Sequence, residues 1–255
     1  MRHQHARKKY ASIFFILMPC YPLAMHRNIT LDIARTFAIC LMVVFHFIYD
    51  LKFFGYINWN IPDGHGWVQF RWIIISLFFL CLGVSLSFAH AKQFKGRKFF
   101  LRLMQISLSA LLISVATFFA INDNWIFFGV LHFLALSSVI VIFFVSYPRV
   151  SLSIGIVFVV IGVMQVVPSR WPFHLLFDGL PKYTNDFVAI FPWLGLVFIG
   201  VSLGHSEWMK NDVLAPSLSN SKHLATLVWP GQHSLSIYLL HQPIMMGILF
   251  LISLA

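Results

Sequence analysis

The chain has 255 residues, 59% of them hydrophobic and only 10% charged, with a formal net charge of +10. A soluble domain carries about 25% charged residues, so this composition excludes a water-soluble globular protein and points to an integral membrane protein. The basic residues sit between apolar runs, where they act as topology determinants rather than as a nucleic-acid surface.

Residues 1–10 are basic, with Arg2, Arg7, Lys8 and Lys9, and residues 11–25 are apolar but short and broken by Pro19 and Pro22. This segment reads either as signal-like or as an extension upstream of a start at Met25, so residues 1–25 are set apart from a membrane domain at 26–255. Cys20, Cys40 and Cys81 lie in apolar runs without C-x-x-C spacing and suggest neither a disulfide framework nor a zinc site.

The stretch from Asn28 to Gly55 is long enough to cross a bilayer and carries two residues that lipid disfavours, Arg35 and His46. Eleven positions on a helix turn through about 1100°, close to three full turns, so both project from nearly one face about 16 Å apart. Asp32 is placed to pair with Arg35, and Asp50, four residues after His46, to orient its ring. Six more apolar segments follow, near 68–90, 99–120, 125–146, 150–167, 187–204 and 231–254. Together they predict an all-α, polytopic transmembrane bundle of about seven helices in one domain.

Lys and Arg in the short loops orient it. Arg27, Lys92, Lys95, Arg97, Lys98, Arg102, Arg149, Lys210 and Lys222 share one side, which is therefore cytoplasmic. Residues 51–67, 121–124 and 168–186 and the C-terminus fall on the other. Arg35 then lies near the cytoplasmic end of the first helix and His46 nearer the outer end.

Further polar groups lie in or beside the later segments. Arg71 sits near the outer end of the second, either as a cavity residue or snorkelling to the interface. His132 follows Gly129 in the fourth, either as a cavity residue or as a neutral histidine bonded to a nearby carbonyl. Asp186 opens the sixth, either in the site or as a helix N-terminal carboxylate. The last segment brings His233, Tyr238, His241 and Gln242 within three turns, with Pro243 freeing a backbone carbonyl. Such groups are costly alone in lipid, so Arg35, His46, His132, Tyr238 and His241 are expected to line one polar cavity.

LDIARTFAICLMVVFHFIYDL, WVQFRWIIISLFFLCLGVSLS, WIFFGVLHFLA, DFVAIFPWLGLVFIGVSLG and GQHSLSIYLLHQPI, in that order, resemble bacterial members of the family named for the catalytic domain of heparan-alpha-glucosaminide N-acetyltransferase. The Arg35–His46 spacing also resembles the arginine–histidine motif of the wider group of membrane acyltransferases. The resemblance implies an enzyme of the bacterial inner membrane, surrounded by lipid. It would move an acyl group, typically acetyl, from cytoplasmic acyl-coenzyme A to a sugar or lipid-linked glycan at the outer face. Acetyl-coenzyme A or another acyl-coenzyme A is then a co-substrate, with no tightly bound cofactor, no metal and no nucleic-acid partner.

Acyl transfer needs a base or nucleophile, which His46 supplies in this reading, with His241 a further catalytic candidate. It also needs a cationic seat for the donor, which Arg35 supplies with Lys98 and Arg102. Asp32, Asp50, Arg71, His132, Asp186, His233, Tyr238 and Gln242 complete the candidate site. The sequence departs from the family pattern at Thr36, where glycine is usual and looser helix packing is expected. The lysosomal member's proposed active-site histidine lies in the loop after the first helix. Here that loop offers His65, which ranks below His46. Two other classes compete: a proton-coupled transporter built on the same intramembrane charges, and a haem or metal protein using His46, His132, His233 and His241.

Overall fold

A computed structural model describes residues 27–176, 181, 184, 186–218 and 221–254, without the side chains of Asn122 and His174. The expectation for residues 1–25 lies outside these. The described chain is helical: α1 Ile29–Phe53, α2 Trp67–His90, α3 Gly96–Ile121, α4 Val130–Val141, α5 Pro148–Val163, α6 Trp193–Gly204, α7 Leu224–Gln232 and α8 Ser234–Ser253, with single helical turns between some of them. Four of these, α1, α2, α3 and α8, are long and apolar enough to cross a membrane, while α4 with its 3-10 continuation, α5 and α6 are shorter apolar helices.

α6 is the centre of the bundle and packs against both α2 and α5. Glycines permit the first contact: a Cβ on Gly83 would meet Val197 O of α6, and one on Gly200 would meet Leu80 O of α2. Without side chains there, the backbones approach closely, as small residues allow where lipid supplies no hydrophobic drive for helix association. Phe79, Phe133, Phe198, Val197 and Val201 fill the space around this seam and are fully or almost fully buried. α1 lies against α2, and α7 and α8 lie against α1; α3 pairs with α4. The outer faces carry exposed Phe100, Leu108, Leu111, Phe119, Ile156, Ile248 and Leu251, as a lipid-facing surface requires.

Three boundaries differ from those expected, each for a local reason. Residues 125–129 are apolar yet not helical. At Ile126 the backbone is bonded instead by α3 side chains: Thr117 Oγ1 accepts from Ile126 N at 3.0 Å, and Ser114 Oγ donates to Ile126 O at 2.6 Å. The sixth helix starts at Trp193 rather than near 187, because the residue before Pro192 is disfavoured in a helix. The last segment is two helices, with α7 already begun at Leu224 and a break at His233.

The start of α1 is tied down from far along the chain. Asn28 Oδ1 accepts from Leu31 N at 2.8 Å, as an N-cap does. Asp212, from the connection between α6 and α7, accepts from Ile29 N, Thr30 N and Thr30 Oγ1, each at 2.7 Å.

Candidate functional site

α1 carries two polar clusters, one near each end. At the N-terminal end Asp32 is 3% exposed and its carboxylate gathers three donors. Arg35 Nη1 reaches Oδ1 at 3.2 Å, while Arg27 Nε at 3.2 Å and Gln232 Nε2 at 3.1 Å reach Oδ2. Arg35 also donates to Ser85 of α2, and Ser85 donates to Cys81 O. A buried carboxylate satisfied by two cations and an amide meets the desolvation cost that an isolated one would not.

Thr36 corrects one expectation. It does not loosen the packing of α1: Oγ1 accepts from Gly231 N at 2.9 Å and lies 2.8 Å from Leu227 O, to which it donates. A Cβ on Gly231 would strike Asp32 O, so the glycine lets α7 seat on this hydroxyl.

Three turns along α1, its side chains meet α8. The rings of His46 and His241 touch edge to face with centroids 4.9 Å apart. One turn further, Asp50, with 0% exposure, accepts from Gln242 Nε2 at 2.7 Å. Asp50 was expected to orient His46, but its bonded oxygen serves Gln242 instead. Among the described residues, Asp50 Oδ2, His241 Nε2 and Gln242 Oε1 find no hydrogen-bond partner.

The contacts continue from His241 into the bundle. Tyr238 lies 5.9 Å from His241, ring to ring, and its hydroxyl donates to Asp186 Oδ2 at 3.3 Å. The same oxygen accepts from Val130 N at 3.2 Å. Asp186 thus caps α4 rather than the helix it precedes in sequence. Gly129 makes the room: a Cβ there would lie 2.7 Å from that oxygen. Desolvation in this packed corner pushes the Asp186 carboxyl up, to about 6, against the hydrogen bonds from Val130 and Tyr238 and the nearby charge of Arg71, which draw it down.

His132 belongs to this corner through its backbone support. Its Nδ1 accepts from Gly129 N at 3.3 Å, so Nε2 carries the proton and donates to Ser114 Oγ at 3.0 Å. Both ring nitrogens are therefore committed to holding the entry to α4.

His46, His241, Tyr238 and Asp186 form a connected series, with His132 bonded beside it to Gly129 and Ser114, whereas Arg35 and Asp32 form a cluster of their own. His233 stands apart at the α7–α8 break. It stacks on Trp229 at 4.6 Å, with Nδ1 2.9 Å from Trp229 O. Lys98 and Arg102 are exposed near the start of α3. A cavity of about 300 Å³ opens beside that end, lined by His90, Lys92, Phe94, Ser146 and their neighbours, and touches neither cluster on α1. His65 is exposed in the loop before α2.

Sequence reasoning passed over Gln232, Ser85, Asp212 and Ser114. Gln232 had a signal, since it lies inside the same GQHSLSIYLLHQPI stretch as Gln242. The serines and Asp212 had none, because Arg35, His132 and Thr30, which they bond, lie on other elements.

The family model described as heparan-alpha-glucosaminide N-acetyltransferase, catalytic, matches residues 27–243 and spans both clusters. No curated protein and no solved structure matches the chain.

Proposed function

This chain belongs to the heparan-alpha-glucosaminide N-acetyltransferase catalytic-domain family, and from that premise we propose that it carries an acyl group, typically acetyl, from cytoplasmic acyl-coenzyme A to a sugar or lipid-linked glycan at the outer face of a bacterial inner membrane. The family and the apolar helices make it a multi-pass membrane protein of acetyltransferase type. The observation that supports the finer reading best is the His46–His241 contact, two imidazoles brought together from α1 and α8 beside a buried carboxylate.

Imidazole is suited to remove a proton from a hydroxyl or amine at neutral pH. The acceptor oxygen or nitrogen attacks the thioester carbonyl carbon, the carbon–sulfur bond breaks, and the proton passes through imidazole to the departing thiolate. In this proposal Arg35 serves the donor. Its fork of N–H groups suits phosphate oxygens or the thioester end of coenzyme A. Lys98 and Arg102 add positive charge on the side from which the donor enters.

The haem reading has little support from the geometry. The His46 and His241 rings touch, with no gap for a porphyrin between them, and His132 has no ring nitrogen to spare. Incubating membranes that contain the protein with radiolabelled acetyl-coenzyme A tests the proposal. Label entering glycan or lipid, above membranes lacking the protein, is the expected result. Substrate uptake into vesicles without acyl donor, and no label transfer, is the contrary one.

A further inference from the structure

α8 offers α1 two consecutive side chains, His241 and Gln242, and each has one polar atom committed and one left over. His241 Nδ1 lies 2.8 Å from Tyr238 O and 3.2 Å from Ile237 O. A carbonyl oxygen only accepts, so Nδ1 carries the proton and Nε2 presents a lone pair. Gln242 gives its N–H to Asp50 Oδ1, which leaves its Oε1 as another acceptor. Asp50 Oδ2, when ionised, is a third. All three atoms are buried and, among the described residues, unpartnered. A helix–helix clasp would account for the Asp50–Gln242 bond but leaves three buried acceptors on the facing sides of α1 and α8 unused, which buried groups rarely tolerate.

What each of these atoms can take is a hydrogen-bond donor. We propose that these acceptors seat the nucleophilic group of the acyl acceptor, an amine or hydroxyl of a sugar, and that His241 Nε2 is the base that takes its proton. This rests on the acyl-transfer reading above. The N–H or O–H donates to Nε2. As the nitrogen or oxygen bonds to the thioester carbonyl carbon, the proton moves to Nε2, the carbon–sulfur bond breaks, and the proton then moves from Nε2 to the thiolate. Transfer is direct, because an acyl group on Nε2 would occupy the lone pair that the proton needs. His46, packed edge-on against the ring, restricts its rotation.

The test uses the full-length protein in lipid nanodiscs, radiolabelled acetyl-coenzyme A, and a membrane extract of the producing cells as the acceptor pool. His241→Asn keeps a donor near the place of Nδ1 and removes Nε2. It should lower transfer by about a hundredfold or more, with acetyl-coenzyme A affinity unchanged as the check on folding. Added imidazole should restore part of the rate to His241→Ala, which a purely structural histidine would not allow. Asp50→Asn keeps the oxygen that Gln242 bonds and turns the free acceptor into a donor. It should raise the KM for extract about tenfold or more while leaving that for acetyl-coenzyme A in place. Alkali-stable label identifies an amine acceptor and alkali-labile label a hydroxyl, and either fits the seat. The proposal is overturned if His241→Asn stays within about threefold of wild type, or if label accumulates on the protein chain. Absence of transfer by the wild-type protein instead overturns the acyl-transfer reading itself.

Discussion

Arg35 and His46 share a helix face but not a set of neighbours. Arg35 is engaged by Asp32 and Ser85, and His46 by His241. The proposed function divides labour within α1 in the same way, with donor binding at one residue and proton transfer beside the other. Arg35→Lys keeps the charge and loses the planar fork that spans Asp32 and Ser85. Acetyl-coenzyme A affinity measured by titration calorimetry should fall about tenfold, and transfer should fall with it. Unchanged affinity would remove Arg35 from the donor site. The i and i+11 relation was legible in the sequence because helical periodicity fixes it. The meeting of His46 with His241 was not, since residues 195 positions apart come together only through the packing of α8 on α1.

The helices as elements were legible for a similar reason. Long apolar runs have few alternatives in lipid, because every backbone group must be bonded within the segment. Residues 125–129 and 187–191 show where that logic stops. Both are apolar, and in the first the backbone of Ile126 is bonded by Thr117 and Ser114, which hydropathy does not register. Asp212 illustrates the same blindness at a helix start, since nothing near Ile29 announces a cap 183 positions away. Asp212→Ala removes acceptors from two backbone N–H groups and a hydroxyl at once. It should cost roughly 1–2 kcal/mol and lower the Tm of the detergent-purified protein, with α1 still inserted. A Tm equal to wild type would show that water replaces the carboxylate without loss.

The whole molecule is arranged about α6 and α1, with α6 as the packing centre and α1 as the wall that carries both clusters. In the proposed orientation, with the basic loops on the cytoplasmic side, the Arg35 cluster would face the compartment of the proposed donor and the His46 cluster would lie deeper. Reporter fusions after Lys98 and after Asp123 should report opposite sides of the membrane. The same side for both would remove the separation of donor and acceptor on which the proposed transfer depends.

The spacing along α1 also acts as a ruler. Arg35 and His46 are held about 16 Å apart by a rigid helix, so a donor gripped at one must span that length to react beside the other. A carrier with its anionic groups far from its thioester on a long flexible arm meets the measure, and a compact acyl phosphate does not. A truncated thioester such as S-acetyl-N-acetylcysteamine retains the reactive end and lacks the anchored one. With that donor, Arg35→Lys should leave the rate as it is in the wild-type protein, while the same substitution slows transfer from acetyl-coenzyme A. Equal slowing with both donors would mean that the guanidinium acts on something other than the far end of the molecule.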